Sequence, residues 1–282
     1  MPGRVFFVTG SSTGFGKDLI QEIIAKGDIA VATARKPDAL SFANTTLNKN
    51  YLALKLDVTS RDDIETAFEK AISTFGRIDV VVNNAGYGLS GPFEELTEEQ
   101  ARKQMEVNFF GLIAVTRKAM ATMRNQKPQG GLIQQITSIG GQRGVPLFSI
   151  YCASKWAVEG FTEAIAQEVK PEWGIKFQCV EPGGFRTDWA GRSMDFPDAK
   201  MEAYDHLDAK ERMSKRHGSQ PGDPKKGAQA MYELAVMDDP PLRFVIGTDA
   251  YKGIHDKINK YQELYGRKDL SAIANSTDVE ES

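Results

Sequence analysis

Seven short apolar runs punctuate this chain of 282 residues, at 4–9, 29–34, 51–56, 78–82, 132–137, 175–181 and 242–247. Most are continuously apolar rather than alternating, which is the pattern of a strand buried on both faces. Between them recur stripes at helical spacing, such as Leu19, Ile20, Ile23 and Ile24, or Ile64, Ala67, Phe68, Ala71, Ile72 and Phe75. Strand and helix therefore alternate, and right-handed crossovers turn that order into an α/β fold. The expected form is a doubly wound, seven-stranded parallel sheet with helices on both faces. The helices fall at 14–26, 37–47, 60–75, 97–124, 149–169, 225–237 and 251–265. Ser60 with Asp63, and Thr97 with Gln100, have the spacing of N-terminal caps. No linker-like composition divides the chain, so residues 1–270 read as one domain. The polar stretch 188–222 reads as a loop over the site, and 271–282 as an acidic, disordered tail.

The formal charge is −3 and no basic block occurs, which argues against nucleic acid and anionic membrane surfaces as partners. No apolar stretch nears the ~20 residues that span a bilayer. Cys152 and Cys179 lack metal-type or redox-type spacing, and His206, His217 and His255 are scattered. We read no metal site, no disulfide framework and a reducing, cytoplasmic setting.

Ligands of a doubly wound sheet bind beyond the carboxyl ends of its strands, and the turns there hold the chemically suggestive residues. After the first run come Thr9, Gly10, Ser11, Ser12, Thr13, Gly14, Phe15 and Gly16. These glycines allow a sharp turn and let a pyrophosphate approach a helix N-terminus, although the spacing is not the Gly-x-Gly-x-x-Gly fingerprint. Asn83, Asn84, Ala85 and Gly86 follow the fourth run. Ser138 closes the fifth; Tyr151 lies thirteen positions later and Lys155 four after that. Residues four apart share a helix face, so the phenol and the ammonium are presented together. A phenol beside a fixed cation, with a serine hydroxyl near, is a proton-donating device for reducing carbonyls or oxidising alcohols. Singly, each feature has an ordinary explanation, since many solvated helices carry a Tyr-x-x-x-Lys spacing. Their convergence at one end of the sheet gives them weight.

Together these residues resemble the short-chain dehydrogenase/reductase family, in its compact single-domain branch with a Rossmann fold. The matching motifs are Thr-Gly-x-x-x-Gly-x-Gly at 9–16, Asn-Asn-Ala-Gly at 83–86, Ser138, Tyr151 with Lys155, Asn108, and Pro182-Gly183 with Thr187. The resemblance runs over about residues 5–187, and more weakly to the strand near Val245. It implies a catalytic group of Ser138, Tyr151, Lys155 and Asn108. It implies a cofactor held by Gly10, Ser12, Gly14, Phe15, Gly16, Asp57, Val58, Asn84, Ala85, Gly86, Tyr151, Lys155, Pro182, Gly183, Phe185 and Thr187. Tyr151 would exchange a proton with the substrate oxygen, Ser138 would orient that oxygen, and Asn108 would hold a water relaying protons to Lys155. Bringing a phenol from a pKa near ~10 to ~7 takes about 4 kcal/mol. One ammonium at ~4 Å supplies about that much at an effective dielectric of ~20, and Lys155 is the expected source.

NAD-specific sites carry an acid about ~20 residues after the glycines, where this chain has Thr33, Ala34, Arg35 and Lys36. Arg35 can pair bidentately with a 2′-phosphate, so NADP(H) is the expected cofactor and NAD(H) the alternative. Phe93, Phe148, Trp189 and the methionines between Met194 and Met213 are candidates for an apolar substrate pocket. Phe15 and the C-terminal extension resemble hydroxysteroid- and retinol-type members, so a steroid-, lipid- or polyketide-like ketone is the expected substrate. Arg117 is read as either structural or near the cofactor. In the family, helices like 97–124 and 149–169 pair across an interface, which implies a homodimer or homotetramer. Three readings compete: an NAD-dependent alcohol dehydrogenase, a dinucleotide-binding redox sensor and a sugar-nucleotide epimerase. Sensors on this scaffold tend to lack the tyrosine or the lysine, and the C-terminal part leaves little room for a nucleotide-sugar domain.

Overall fold

A strand apolar at every position must meet helices on both sides, and β1 (Val5–Val8) does so with all four residues buried. In the computed structural model, which describes residues 3–41 and 49–277, its side chains alternate between two cores. Phe6 and Val8 pack with Leu19, Ile20 and Ile23 of α1 (Gly14–Ala25). Val5 and Phe7 pack on the other face with Ile64, Ala67 and Phe68 of α2 (Arg61–Phe75). Burying a side chain of this size is worth about 1.5–3 kcal/mol, so this two-sided pattern holds the sheet in place.

The sheet continues through β2 (Ile29–Ala34), β3 (Tyr51–Lys55) and β4 (Val80–Asn83). After the two-residue β5 (Gly88–Leu89) come β6 (Gly131–Ile136), β7 (Ile175–Pro182), the two-residue β8 (Met194–Asp195) and β9 (Arg243–Ile246). The spatial order of the main sheet is β3-β2-β1-β4-β6-β7-β9, and every pairing is parallel. Phe7 lies in register with Val31 on one side and Val81 on the other. The winding reverses between β1 and β4, so the turns that follow those strands stand side by side. That is where such a sheet opens a crevice.

The remaining helices are α3 (Glu98–Met105), α4 (Leu112–Asn125), α5 (Ser149–Glu168), α6 (Ala209–Arg216), α7 (Pro224–Ala235), α8 (Thr248–Tyr265) and α9 (Lys268–Asn275). The expected caps form: Ser60 Oγ accepts from Asp63 N at 3.2 Å, and Thr97 with Gln100 closes a reciprocal capping box. No helix among the described residues is long and apolar enough to cross a membrane.

Three expectations change. The single helix expected over 97–124 is divided by a π-helical turn, Glu106–Gly111, because one extra residue is accommodated there. In the stretch expected as a helix at 37–47 one 3-10 turn forms, Pro37–Leu40, and residues 42–48 lie outside the described residues. The tail expected to be disordered from residue 271 begins inside α9, where Leu270, Ala272, Ile273 and Ala274 favour helix and Asp269 suits its N-terminus. Residues 278–282, its charged end, lie outside the described residues.

Residues 188–222 are more regular than their polarity implies. A 3-10 turn (Asp188–Ala190), β8, a second 3-10 turn (Glu202–Tyr204) and α6 follow in order. β8 pairs in parallel with β5, which puts Gly88 opposite Met194. Buried Met194, Ala209 and Met213 join Leu147, Phe148, Tyr151 and Cys152 in a third, smaller apolar cluster.

Candidate active site

The turns after β1 and β4 are bound to each other. Thr9 Oγ1 accepts from the amides of Asn84 and Ala85, both at 3.0 Å. Asn84 Nδ2 answers by donating to the carbonyls of Thr9 and Gly10, also at 3.0 Å. Gly10 has φ +66°, and a Cβ there would stand 2.8 Å from Ala85 Cα. A Cβ on Gly16 would meet Gly10 O at 2.4 Å. Only glycine permits this approach of turn to turn.

A cavity of about 2080 Å³ opens above these turns. Of the residues expected to hold a cofactor, Gly10, Ser12, Gly14, Phe15, Arg35, Asp57, Val58, Asn84, Ala85, Gly86, Tyr151, Lys155, Pro182, Gly183, Phe185 and Thr187 line it. Gly16 does not; it sits behind the turn and serves its packing. Phe15 and Phe185 meet edge to face at 4.9 Å, which closes the floor between α1 and the segment after β7. Arg35 and Lys36 are exposed at the rim, and no carboxylate among the described residues pairs with Arg35. Asp57 Oδ1 accepts from the amide and hydroxyl of Thr59 at 3.0 and 2.7 Å.

These features fit a dinucleotide. The glycine turn exposes backbone at the start of α1, where an anion is favoured. A Cβ on Gly14 would find only Thr187, at 3.5 Å, so the space beside that turn is open. The cavity exceeds the ~300–1,000 Å³ of a small-ligand pocket, as a dinucleotide with a second ligand requires.

Ser138, Tyr151 and Lys155 line the same cavity. Ser138 caps a 3-10 turn, its Oγ accepting from Gly140 N at 3.0 Å. Tyr151 and Lys155 share the buried face of α5, with Lys155 Nζ 5.9 Å from the Tyr151 ring centre. Lys155 Nζ donates to Ile136 O at 2.8 Å. Burial governs both groups. It pushes the Tyr151 phenol up to about 12, against a hydrogen bond with Ser138 that pulls downward. It pulls the Lys155 ammonium down to about 8, partly offset by the charge of Glu159. The expectation that Lys155 brings Tyr151 towards neutrality is therefore not met in this structure. Desolvation is the largest effect on the phenol and favours its protonated form.

Asn108 does not line the cavity; it lies behind it in the π-helical turn, 1% exposed. Its Oδ1 accepts from Tyr87 N at 3.1 Å, and its Nδ2 donates to Tyr87 O at 3.0 Å and Ser154 Oγ at 3.3 Å. Gly86 stands between Asn108 and Lys155. A Cβ there would be 3.1 Å from Asn108 Oδ1 and 3.9 Å from Lys155 Nζ.

Of the apolar pocket candidates, Phe148 and Trp189 line the cavity. Trp189 stacks on Phe148 at 5.7 Å and leans on Tyr151 at 5.1 Å. Met194 and Met213 are buried behind them, whereas Phe93 is 64% exposed and away from the cavity. Arg117 points to solvent on α4, outside the cavity. Sequence reasoning did not single out Tyr87, Gln220 or Arg216, which also line the cavity. Gln220 is 5% exposed with Oε1 unpartnered among the described residues, and nothing in its local pattern signals that.

Residues 4–197 match the family model described as short chain dehydrogenase. An uncharacterized oxidoreductase of Schizosaccharomyces pombe is 38% identical, over 96% of this chain and 90% of that relative. A 3-ketodihydrosphingosine reductase of Bacteroides thetaiotaomicron is 35% identical, over 88% of this chain and 89% of that one. The crystal structure of a short-chain dehydrogenase from Streptomyces avermitilis superposes with a TM-score of 0.87 at 32% identity. It covers 99% of this chain and 100% of its own.

Proposed function

This chain belongs to the short-chain dehydrogenase family, an oxidoreductase acting on CH–OH groups with NAD(P), and from that premise we propose an NADP(H)-dependent reductase of apolar ketones. The observation that carries the reading is the shared cavity. It joins the glycine turn, the Arg35 rim, and Tyr151 with Lys155 beneath Trp189 and Phe148. When bound, the dinucleotide supplies the hydride that reaches the carbonyl carbon. Ser138 orients the carbonyl oxygen and stabilises its growing charge. Tyr151 donates the proton to that oxygen, so C=O becomes CH–OH; in oxidation it takes the proton back. Lys155 would hold the ribose, and Asn108, its amide committed to Tyr87 and Ser154, fixes the Gly86 turn beside Lys155 instead of holding a relay water with its side chain. Arg35 pairs with the 2′-phosphate.

The ketone is apolar because the wall over Tyr151 is aromatic, and a relative of similar length is named a 3-ketodihydrosphingosine reductase. We assign the chain to the cytoplasm, which suits two buried free cysteines, and, from the family resemblance alone, to a homodimer or homotetramer. Titration with NADPH and with NADH, read by cofactor fluorescence, tests the cofactor assignment. NADPH should bind at least about tenfold more tightly, and Arg35→Ala should remove that margin. Equal binding of both by the wild type would move the reading to an NAD-dependent alcohol dehydrogenase. A panel of ketones of rising chain length tests the substrate class, and turnover confined to small polar ketones would contradict it.

A further inference from the structure

The buried face of α5 carries another ionisable residue, for which the chemistry above has no task. Glu159 follows Lys155 by one helical turn and is 4% exposed. Its Oε2 accepts from Arg243 Nε of β9 at 2.9 Å, and its backbone carbonyl accepts from Arg243 Nη2 at 3.4 Å. Its Oε1 is buried without a hydrogen-bond partner among the described residues. Arg243 also binds Glu163, one turn further along α5. Arg243 thus serves two carboxylates, of which Glu163 is half-exposed to water and Glu159 is turned from it.

Lys155 is the complementary case. It is 7% exposed, its ammonium bonds a neutral carbonyl, and no carboxylate among the described residues forms an ion pair with it. An isolated buried ammonium loses its proton unless a counter-charge is near. Other neighbours do not provide one. The Cys179 thiol on β7 is pushed up by burial and by Glu159, which keeps it neutral. Glu181 on β7 is occupied by Gln142 Nε2 at 3.0 Å, and Lys257 of α8 donates to Gln142 O. Among the charges that act on Lys155, Glu159 is the leading one that favours its cationic form.

We propose that Glu159, clamped by Arg243, is a positioning residue that supplies the counter-charge keeping Lys155 cationic in the site. The proposal rests on the oxidoreductase reading for its purpose, but its test does not. Competitive acetylation of Lys155 across a pH range, resolved by mass spectrometry, follows its protonation without substrate or cofactor. In Glu159→Gln, with folding checked by thermal melting, the Lys155 midpoint should fall by about one pH unit or more. Glu159→Asp should give a smaller fall. Glu163→Gln, which removes a charge from the same Arg243 a turn further away, should leave the midpoint in place. The alkaline limb of NADPH-dependent turnover should move with the midpoint in Glu159→Gln.

An unchanged midpoint in folded Glu159→Gln overturns the proposal, as does an equal fall in Glu163→Gln. Should Glu159→Gln not fold, an unchanged midpoint in Glu159→Asp overturns it instead. Failure of the wild type to bind NADPH would remove the functional reading, while the Lys155 midpoint still decides this one.

Discussion

Asn108 grips both backbone groups of Tyr87, accepting from its amide at 3.1 Å and donating to its carbonyl at 3.0 Å. The residue before Tyr87 is Gly86, which borders Lys155. The π-helical turn therefore sets the height of the Asn84–Gly86 turn against α5. Replacing Asn108 with Leu keeps the volume and strands the Tyr87 amide, while the Tyr87 carbonyl keeps its bond from Gln104 Nε2. We expect a loss of about 2 kcal/mol in urea unfolding, with weaker NADPH binding. Unchanged stability would mean that water replaces the side chain.

Tyr151 and Lys155 set the pH profile of reduction. The phenol holds its proton up to about 12, whereas the ammonium holds its own only to about 8. Ketone reduction should be level across the neutral range and fall as pH rises through about 8. Tyr151→Phe should lose at least about 100-fold in turnover while retaining NADPH binding. Initial rates with a fluorescence titration check both.

Glu181 should make stability depend on pH. Burial first, and then the charge of Glu159, pushes its carboxyl from 4.5 up to about 7. Between those values the folded chain holds a proton that the unfolded chain has released, so fewer protons are bound on unfolding and stability falls as pH rises. The fall is about 3 kcal/mol at ~1.36 kcal/mol per unit. Glu181→Gln should flatten it. Chemical unfolding at about pH 5 and about pH 7.5 reads the difference.

Gly16 and Gly27 should respond differently to alanine. At Gly16 the new methyl meets Gly10 O at 2.4 Å and Asn84 Nδ2 at 2.6 Å, which should cost about 3 kcal/mol and cofactor binding together. At Gly27, φ +83° with open space around it, only the left-handed backbone is penalised, by about 1–2 kcal/mol, and binding should survive. Thermal melts paired with NADPH titrations separate the two.

Trp189 shields the Tyr151 phenol. Trp189→Ala should let water reach the ring, lower its ionisation from about 12 towards the ordinary 10, and raise KM for an apolar ketone about tenfold. Ultraviolet titration of the phenolate and steady-state kinetics read these effects.

The two-sided burial of Phe6, Phe7 and their neighbours was legible from the chain because a parallel strand has no polar face to show. Ser138, Tyr151 and Lys155 were legible as a group through helical spacing and strand ends. The interruption at Glu106–Gly111 was not. Periodicity reports which residues are apolar, and an extra residue in one turn shifts the phase too little to register over fourteen residues of α4. Nor was the partnership of Glu159 with Arg243, which joins residues 84 positions apart and depends on β7 and β9 being neighbours. The upward shift of Tyr151 also escaped, because it is set by how much protein surrounds the ring rather than by the lysine beside it.

Residues 188–195 are fastened at both ends of the β5–β8 ribbon, where Gly88 N reaches Ser193 O and Ser90 N reaches Asp195 O, both at 2.9 Å. Trp189 is thus held over Tyr151 by this ribbon from one side and by the Met213 cluster of α6 from the other, and the span between them is a cassette. With Phe196 and Leu207 kept, its length and chemistry can be exchanged while Tyr151 and its aromatic cover stay at their present angle, which makes it the place to retarget this scaffold to a new substrate.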